Sequence, residues 1–270
     1  MLPKLFHFGA FAVFTFGFLL LSGFFFGFLL AAYRAKRNGI APTLIWDLSV
    51  WILLSSLVGA RLLYVLTHID EFRGHWLDII NPIQSGGQIG IAGMSLLGGI
   101  TAAIVTSIYY IRKHRLELWS IADIIAPSVA LGIALGRVGC FFNGCCYGQP
   151  TQSWLGIIFP PNCPAGSHFP GTPVLPTQLF TVAWDLLLCA GLLLSERWKK
   201  FPGFTFAIYL ICDALFRIWV DTLRVYDPGE FLVNSGNLRV TISQGLSAGL
   251  FCFGVWLWVT QKRKFQKRSS

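Results

Sequence analysis

Apolar residues fall in long blocks along the chain, separated by short polar or basic stretches. Seven blocks are long enough to cross about 30 Å of hydrocarbon as helices: 10–33, 46–66, 89–111, 119–142, 177–195, 203–223 and 240–260. The pattern predicts an all-α, polytopic membrane protein whose single transmembrane domain runs over 1–270. The first block exceeds the apolar stretch of a signal peptide, lacks a small-residue cleavage site, and is followed rather than preceded by its basic cluster. It is expected to persist as a span. Between 143 and 176 lies the longest non-spanning segment; it carries no Lys or Arg, and "GIIFPPNCPAGSHFPGTPVLP" predicts an irregular loop at or in the membrane surface.

Composition agrees with the pattern. The chain has 54% hydrophobic and 12% charged residues, where a soluble domain carries about 25% charged, and the mean hydropathy is +0.63. The net charge of +9 is distributed by side. Arg34, Lys36, Arg37, Arg112, Lys113, Arg115, Arg197, Lys199, Lys200, Lys262, Arg263, Lys264, Lys267 and Arg268 follow the odd-numbered spans; only Lys4, Arg73, Arg224 and Arg239 lie opposite. The positive-inside rule then sets the amino terminus outside and the carboxyl terminus in the cytoplasm. Four short clusters do not form the basic face of a nucleic-acid-binding domain, so no nucleic acid is expected as a partner. No 20–50-residue repeat supports a solenoid or a duplicated transporter.

The remaining basic residues, Arg61, Arg137 and Arg217, lie inside spans. Each costs about 2.5–3.5 kcal/mol at a helix centre on insertion scales. Snorkelling would explain Arg61 or Arg217 singly. Three guanidiniums from three helices on the same outer side point instead to a phosphate, here that of a phospholipid headgroup. Asp213, Arg217 and Asp221 are spaced i, i+4, i+8, which suits structural pairing as well as function. Asp123 reads as a helix-start or packing residue. Two glycine-rich stretches, 85–103 and 126–139, predict close helix packing or a broken helix facing a cavity.

Cysteines divide by position. Cys189, Cys212 and Cys252 fall in spans and read as buried small hydrophobes. Cys140, Cys145, Cys146 and Cys163 lie at the outer boundary, where a disulfide, plain packing, a zinc site with His168, or a thiolate activated by Arg137 all remain open. The spacing C-x4-C-C is no standard zinc knuckle, which counts against the zinc reading.

Seven segments together resemble the prolipoprotein diacylglyceryl transferases of bacterial inner membranes. They are "FTFGFLLLSGFFFGFLLA" at 14–31, "GARLLYVL" at 59–66, "AGMSLLGGI" at 92–100, "GRVGCFFNGCCYG" at 136–148, "LPTQLF" at 175–180, "FRIWVDTLR" at 216–224 and "TISQGLS" at 241–247. The resemblance implies transfer of the diacylglyceryl group of phosphatidylglycerol to the lipobox cysteine of a preprolipoprotein, with a thioether formed, glycerol phosphate released and no metal or soluble cofactor needed. It implies Arg137, Arg217 and Asp221 as catalytic residues. Arg137, Arg61, Arg224, Asn143 and Gln244 would bind phosphatidylglycerol. Several positions depart from the family pattern: Leu97 for a histidine, Cys140 for an asparagine, Cys145 for a glutamate, Leu175 for a histidine, Phe180 for a tyrosine, Thr181 for a glutamate and Asp213 for a tyrosine. The proton acceptor is left open among Asp213, Asp221, a thiolate at Cys145 or Cys146, and the lipid's own phosphate. A relative that binds lipid or precursor without transfer, or uses another acceptor, is the alternative.

Overall fold

The computed structural model describes residues 4–8, 11–73, 76–79, 93–226, 228–235 and 238–269. Two short strands open the chain, β1 (Lys4–Phe8) and β2 (Phe11–Phe14), paired antiparallel. The helices are α1 (Thr15–Arg37), α2 (Pro42–Thr67), α3 (Leu96–Lys113), α4 (Leu118–Asn143), α5 (Pro164–His168), α6 (Thr177–Ser195), α7 (Phe204–Asp221) and α8 (Ile242–Ser269). A second hairpin, β3 (Phe231–Ser235) with β4 (Leu238–Thr241), precedes α8.

Among the described residues five helices, those starting at Thr15, Pro42, Leu118, Thr177 and Ile242, are long and apolar enough to cross a membrane. This is a largely helical membrane protein. The other two expected spans have helices whose polarity explains why they fall short: α7 carries Asp213, Arg217 and Asp221, and α3 ends on Arg112 and Lys113. The expected span at 10–33 begins only at Thr15, because the phenylalanine-rich segment before it pairs as a hairpin. Of the span expected at 89–111, residues 89–92 lie outside the described residues, and the helix starts at Leu96.

The chain divides into two compact units, Ala32–Ile121 and Met1–Ala31 with Ala122–Ser270. In the first, α2 and α3 pack backbone to backbone. A Cβ on Gly59 would come within 2.6 Å of the Gly98 carbonyl oxygen, and a Cβ on Gly98 would strike the Gly59 carbonyl oxygen. Close packing is therefore what these glycines supply.

In the second unit, α1 meets α4 in the same way. A Cβ at Gly23 would lie 2.8 Å from the Gly132 carbonyl oxygen, and one at Gly27 3.0 Å from that of Ser128. Ala126 and Ala130 of α4, Leu188, Cys189 and Leu192 of α6, and Tyr209 and Leu210 of α7 form the core. The start of α7 is fixed by a residue from another helix. Asp123 of α4 accepts hydrogen bonds from the backbone N–H of Gly203 (2.8 Å) and of Phe206 (2.9 Å), and pairs with Lys199 (3.0 Å). It satisfies two of the donors that every helix start leaves open. Asp123 is a helix-start residue, but for α7 rather than for its own helix.

Exposure is inverted relative to a soluble protein. Leu187 on α6 is 70% exposed, whereas Asp185, two residues earlier, is wholly buried. Apolar side chains facing outward and carboxylates facing inward are what lipid as a solvent selects.

Candidate active site

The site is assembled where α4 ends. Arg137 and Cys140 lie in its last turns, and the chain then reverses through two residues in the left-handed region, Gly144 (φ 71°) and Cys146 (φ 60°). Left-handed backbone at a residue with a Cβ is uncommon, and here the surroundings hold it. Thr177 at the start of α6 donates its hydroxyl to the Cys146 carbonyl (2.8 Å). Gln178 donates its amide to the Cys145 carbonyl (2.7 Å). The following strand-like segment is strapped to both neighbours. The N–H of Gly148 donates to the Leu175 carbonyl and that of Gln149 to the Leu223 carbonyl, each at 2.8 Å. The loop expected from 143 is thus irregular yet tied at each end, with α5 set inside it.

Across from this loop, α7 delivers Arg217, Val220 and Asp221, and the residues after it deliver Arg224, which bridges to Gly148. Together, Arg137, Cys146, Thr177, Gln178, Thr181, Arg217, Val220, Asp221 and Arg224 enclose a pocket of about 10 Å³. That is room for roughly one water and too little for a phosphate.

The pocket is rich in positive charge and incompletely paired. Arg217 contacts Asp213 at 3.5 Å, and Arg224 contacts Asp221 at 3.5 Å. Arg224 also donates to the Tyr226 hydroxyl at 3.0 Å and lies over its ring. Among the described residues Arg137 makes no ion pair. Asp221 Oδ2, Arg224 Nε and Gln178 Oε1 are buried with no hydrogen-bond partner among those residues. Leaving such groups unpaired costs about 1–3 kcal/mol each, which marks the pocket as one suited to a polar, anionic ligand. Beyond the end of α4, hydrogen bonds from Cys140 and Cys145 hold the Cys146 thiol far below the ordinary thiol range; Arg224 and Arg137 lower it further, against the effect of burial. Burial pushes the Tyr226 phenol up, with a hydrogen bond to Asp221 adding to it.

Of the residues expected from the sequence, the structure brings Arg137, Arg217, Asp221 and Arg224 to one wall. Asn143 and Gln244 do not line it. Asn143 is the last residue of α4. Gln244 caps α8: its side-chain oxygen accepts the Thr241 N–H at 3.0 Å, its own N–H donates to Thr241 Oγ1 at 3.1 Å, and its amide donates to the Ile218 carbonyl of α7 at 3.3 Å. Arg61, 9% exposed on α2, donates to the carbonyls of Ile79 (2.9 Å) and Gly93 (3.1 Å) within the other unit. Thr177, Gln178 and Thr181 were not expected. "LPTQLF" contained the first two, but contacts made through backbone carbonyls some thirty residues away leave no local pattern.

An open apolar groove of about 580 Å³ runs along α6 and α7, lined by Phe180, Trp184, Leu187, Leu215, Phe216 and Trp219. Trp184 and Phe216 stack across it with ring centroids 4.9 Å apart.

Comparison with known proteins follows the same lines. The family model described as prolipoprotein diacylglyceryl transferase matches residues 3–260. A phosphatidylglycerol–prolipoprotein diacylglyceryl transferase of a Synechocystis species is 34% identical over 96% of this chain and 90% of its own length. The protein of that name from Synechococcus elongatus is 32% identical over 94% of this chain and 85% of its own. One from Clostridium tetani is 27% identical over 94% and 98%.

Proposed function

Since the chain belongs to the prolipoprotein diacylglyceryl transferase family, we propose that its basic pocket is where phosphatidylglycerol gives up its diacylglyceryl group. The enzyme is a transferase that carries out the first step of lipoprotein maturation. The substrate thiol attacks the glyceryl methylene, a C–S bond forms, the C–O bond to phosphorus breaks, and glycerol phosphate departs.

Negative charge grows on the phosphate oxygens as that bond breaks, so cations placed there stabilise the transition state more than the bound lipid. Arg137 and Arg217 take this role, with Arg137 gripping the phosphate and Arg217 neutralising the leaving group. Asp221 orients Arg224, which binds the headgroup from the far side, and its unpaired oxygen is a proton acceptor. Asn143 and Gln244 serve the lipid site by fixing the ends of α4 and α8. For Arg61 the motif implies a part in binding phosphatidylglycerol; in its own unit it donates to the Ile79 and Gly93 carbonyls. The apolar groove on α6 and α7 suits the acyl chains. Seven spans, an amino terminus outside, a cytoplasmic carboxyl terminus and a site facing the outer side of the bacterial inner membrane complete the reading, supported by the one-sided distribution of Lys and Arg.

The observation that carries this is the meeting of Arg137 from α4 with Arg217 and Arg224 from α7 and the turn after it, on one buried pocket whose polar atoms are not all paired. Complementation tests it. The chain and its Arg137→Ala variant are expressed in bacteria depleted of their own transferase, and the diacylglyceryl shift of a model lipoprotein is followed. Rescue by the wild type and not by Arg137→Ala is expected. Well-inserted wild type that gives no rescue would show a lipid-binding relative without transferase activity.

A further inference from the structure

Two of the residues that depart from the family pattern meet in space, together with the cysteine that follows them. The sulfurs of Cys140, Cys145 and Cys146 all lie within 4.8 Å of one another. A disulfide needs two converging sulfurs, whereas three are what a thiophilic metal ion needs. Zn–S bonds of about 2.3 Å in a tetrahedral site put the sulfurs about 3.8 Å apart, a small contraction of the present arrangement. All three cysteines are free and only partly buried.

The backbone is built to hold this trio. The left-handed Gly144 and Cys146 fold the Cys145–Cys146 pair back beneath Cys140, and the Cys145 N–H donates to the Cys140 carbonyl at 3.2 Å. Gln178 and Thr177 then fix the carbonyls of Cys145 and Cys146 from α6. Supports of this kind are what orient metal ligands. The charge also fits. Three thiolates around a divalent cation carry a net charge of −1, beside a pocket containing Arg137, Arg217 and Arg224.

No fourth side chain completes the group among the described residues. Cys163 donates its thiol to the Pro160 carbonyl at 3.1 Å, and His168 is engaged with the Tyr147 hydroxyl at 2.7 Å. Three protein ligands with one position open is the catalytic form of a zinc site. Cys146 forms part of the pocket wall, so an ion held by the trio borders the place where the lipid phosphate would sit.

We propose that Cys140, Cys145 and Cys146 bind a thiophilic divalent cation, zinc by its donor set, and that its open position receives the lipobox thiol. This rests on the transferase reading above, and it replaces the expectation of a metal-free site. A bound cation makes the thiol a nucleophile at neutral pH, the task for which Leu97 and Cys145 leave no histidine or glutamate at the family positions. The S–H bond breaks as sulfur binds. That sulfur forms the C–S bond while the glyceryl C–O bond breaks, the proton passes to the unpaired oxygen of Asp221, and glycerol phosphate leaves as the anion. Nothing is oxidised or reduced.

The test uses the full chain purified in lipid nanodiscs under reducing conditions. Elemental analysis should find one zinc per chain, and exchange with cobalt should give thiolate charge-transfer absorption in the near ultraviolet. Cys140→Ser and Cys146→Ser should lose both signals, while Cys189→Ser, in the helical core, keeps them. Chelation of the wild type should lower thioether formation at least tenfold, and added zinc should restore it, a comparison that needs no variant to fold. Metal-free protein that does not take up cobalt, or a disulfide within the trio, overturns the site. Metal bound stoichiometrically while transfer survives chelation overturns the activation role. A zinc-loaded wild type that makes no thioether from phosphatidylglycerol defeats the transferase reading, and the metal content then decides the site by itself.

Discussion

Asp123→Ala should loosen the start of α7 without touching the pocket directly. Asp123 is 1% exposed and accepts from two backbone N–H groups at 2.8 and 2.9 Å. Hydrogen bonds to a charged partner contribute about 1.5–3 kcal/mol each, and removal of a helix cap alone costs about 0.5–2 kcal/mol. The Lys199 pair adds at most about 1 kcal/mol, because Lys199 is partly in solvent. Allowing for overlap between these contributions, Asp123→Ala should destabilise the first turn of α7 by about 3–4 kcal/mol. At 1.4 kcal/mol per decade, that is about a hundredfold or more in local opening. Hydrogen–deuterium exchange of the purified chain in nanodiscs, read on a peptide covering 203–207, is the assay. Asp123→Asn keeps an acceptor oxygen and loses the charge, so it should fall between the two. Since α7 carries Arg217 and Asp221, the transfer rate should fall along with protection. Unchanged exchange at 203–207 in Asp123→Ala would refute the capping role.

Gly98→Ala should disrupt the α2–α3 contact, since the new Cβ strikes the Gly59 carbonyl and lies 2.6 Å from Leu63 Cβ; a loss of about 1–3 kcal/mol is expected in thermal unfolding. Gly249→Ala, with no neighbour within 4 Å, should instead be neutral or stabilising by up to about 1 kcal/mol. Gln178→Ala leaves the Cys145 carbonyl without its 2.7 Å donor, and a stability loss of about 1–3 kcal/mol should come with a larger fall in transfer rate than in lipid binding. Arg217→Ala should lower the transfer rate by about 100- to 1000-fold, with Arg217→Lys recovering part of it, as measured by thioether formation on a lipobox peptide.

The long apolar blocks made the spanning helices legible, because a bilayer imposes length and composition on them. Their ends were less so. At 4–14 the phenylalanine-rich run satisfies a strand as readily as a helix, and periodicity alone does not separate the two; the structure forms the β1–β2 hairpin. The β3–β4 hairpin went unforeseen for a similar reason, being short and flanked by a span. Arg137, Arg217 and Arg224 could be read from the sequence because a cation in or beside hydrocarbon is costly and needs a reason. Gln178 and Thr177 could not, since they act by holding the carbonyls of Cys145 and Cys146. Cys163 was grouped with the other outer cysteines by position, and only the fold separates it from the trio.

The central claim is that Arg137 and its neighbours hold the lipid phosphate while a thiol displaces it. It is tested most directly by mixing the purified chain in phosphatidylglycerol nanodiscs with a lipobox peptide and measuring both products by mass spectrometry. One diacylglyceryl thioether per glycerol phosphate released is expected, with both falling by about 100-fold or more in Arg137→Ala. Equal product from the wild type and from Arg137→Ala would contradict the claim.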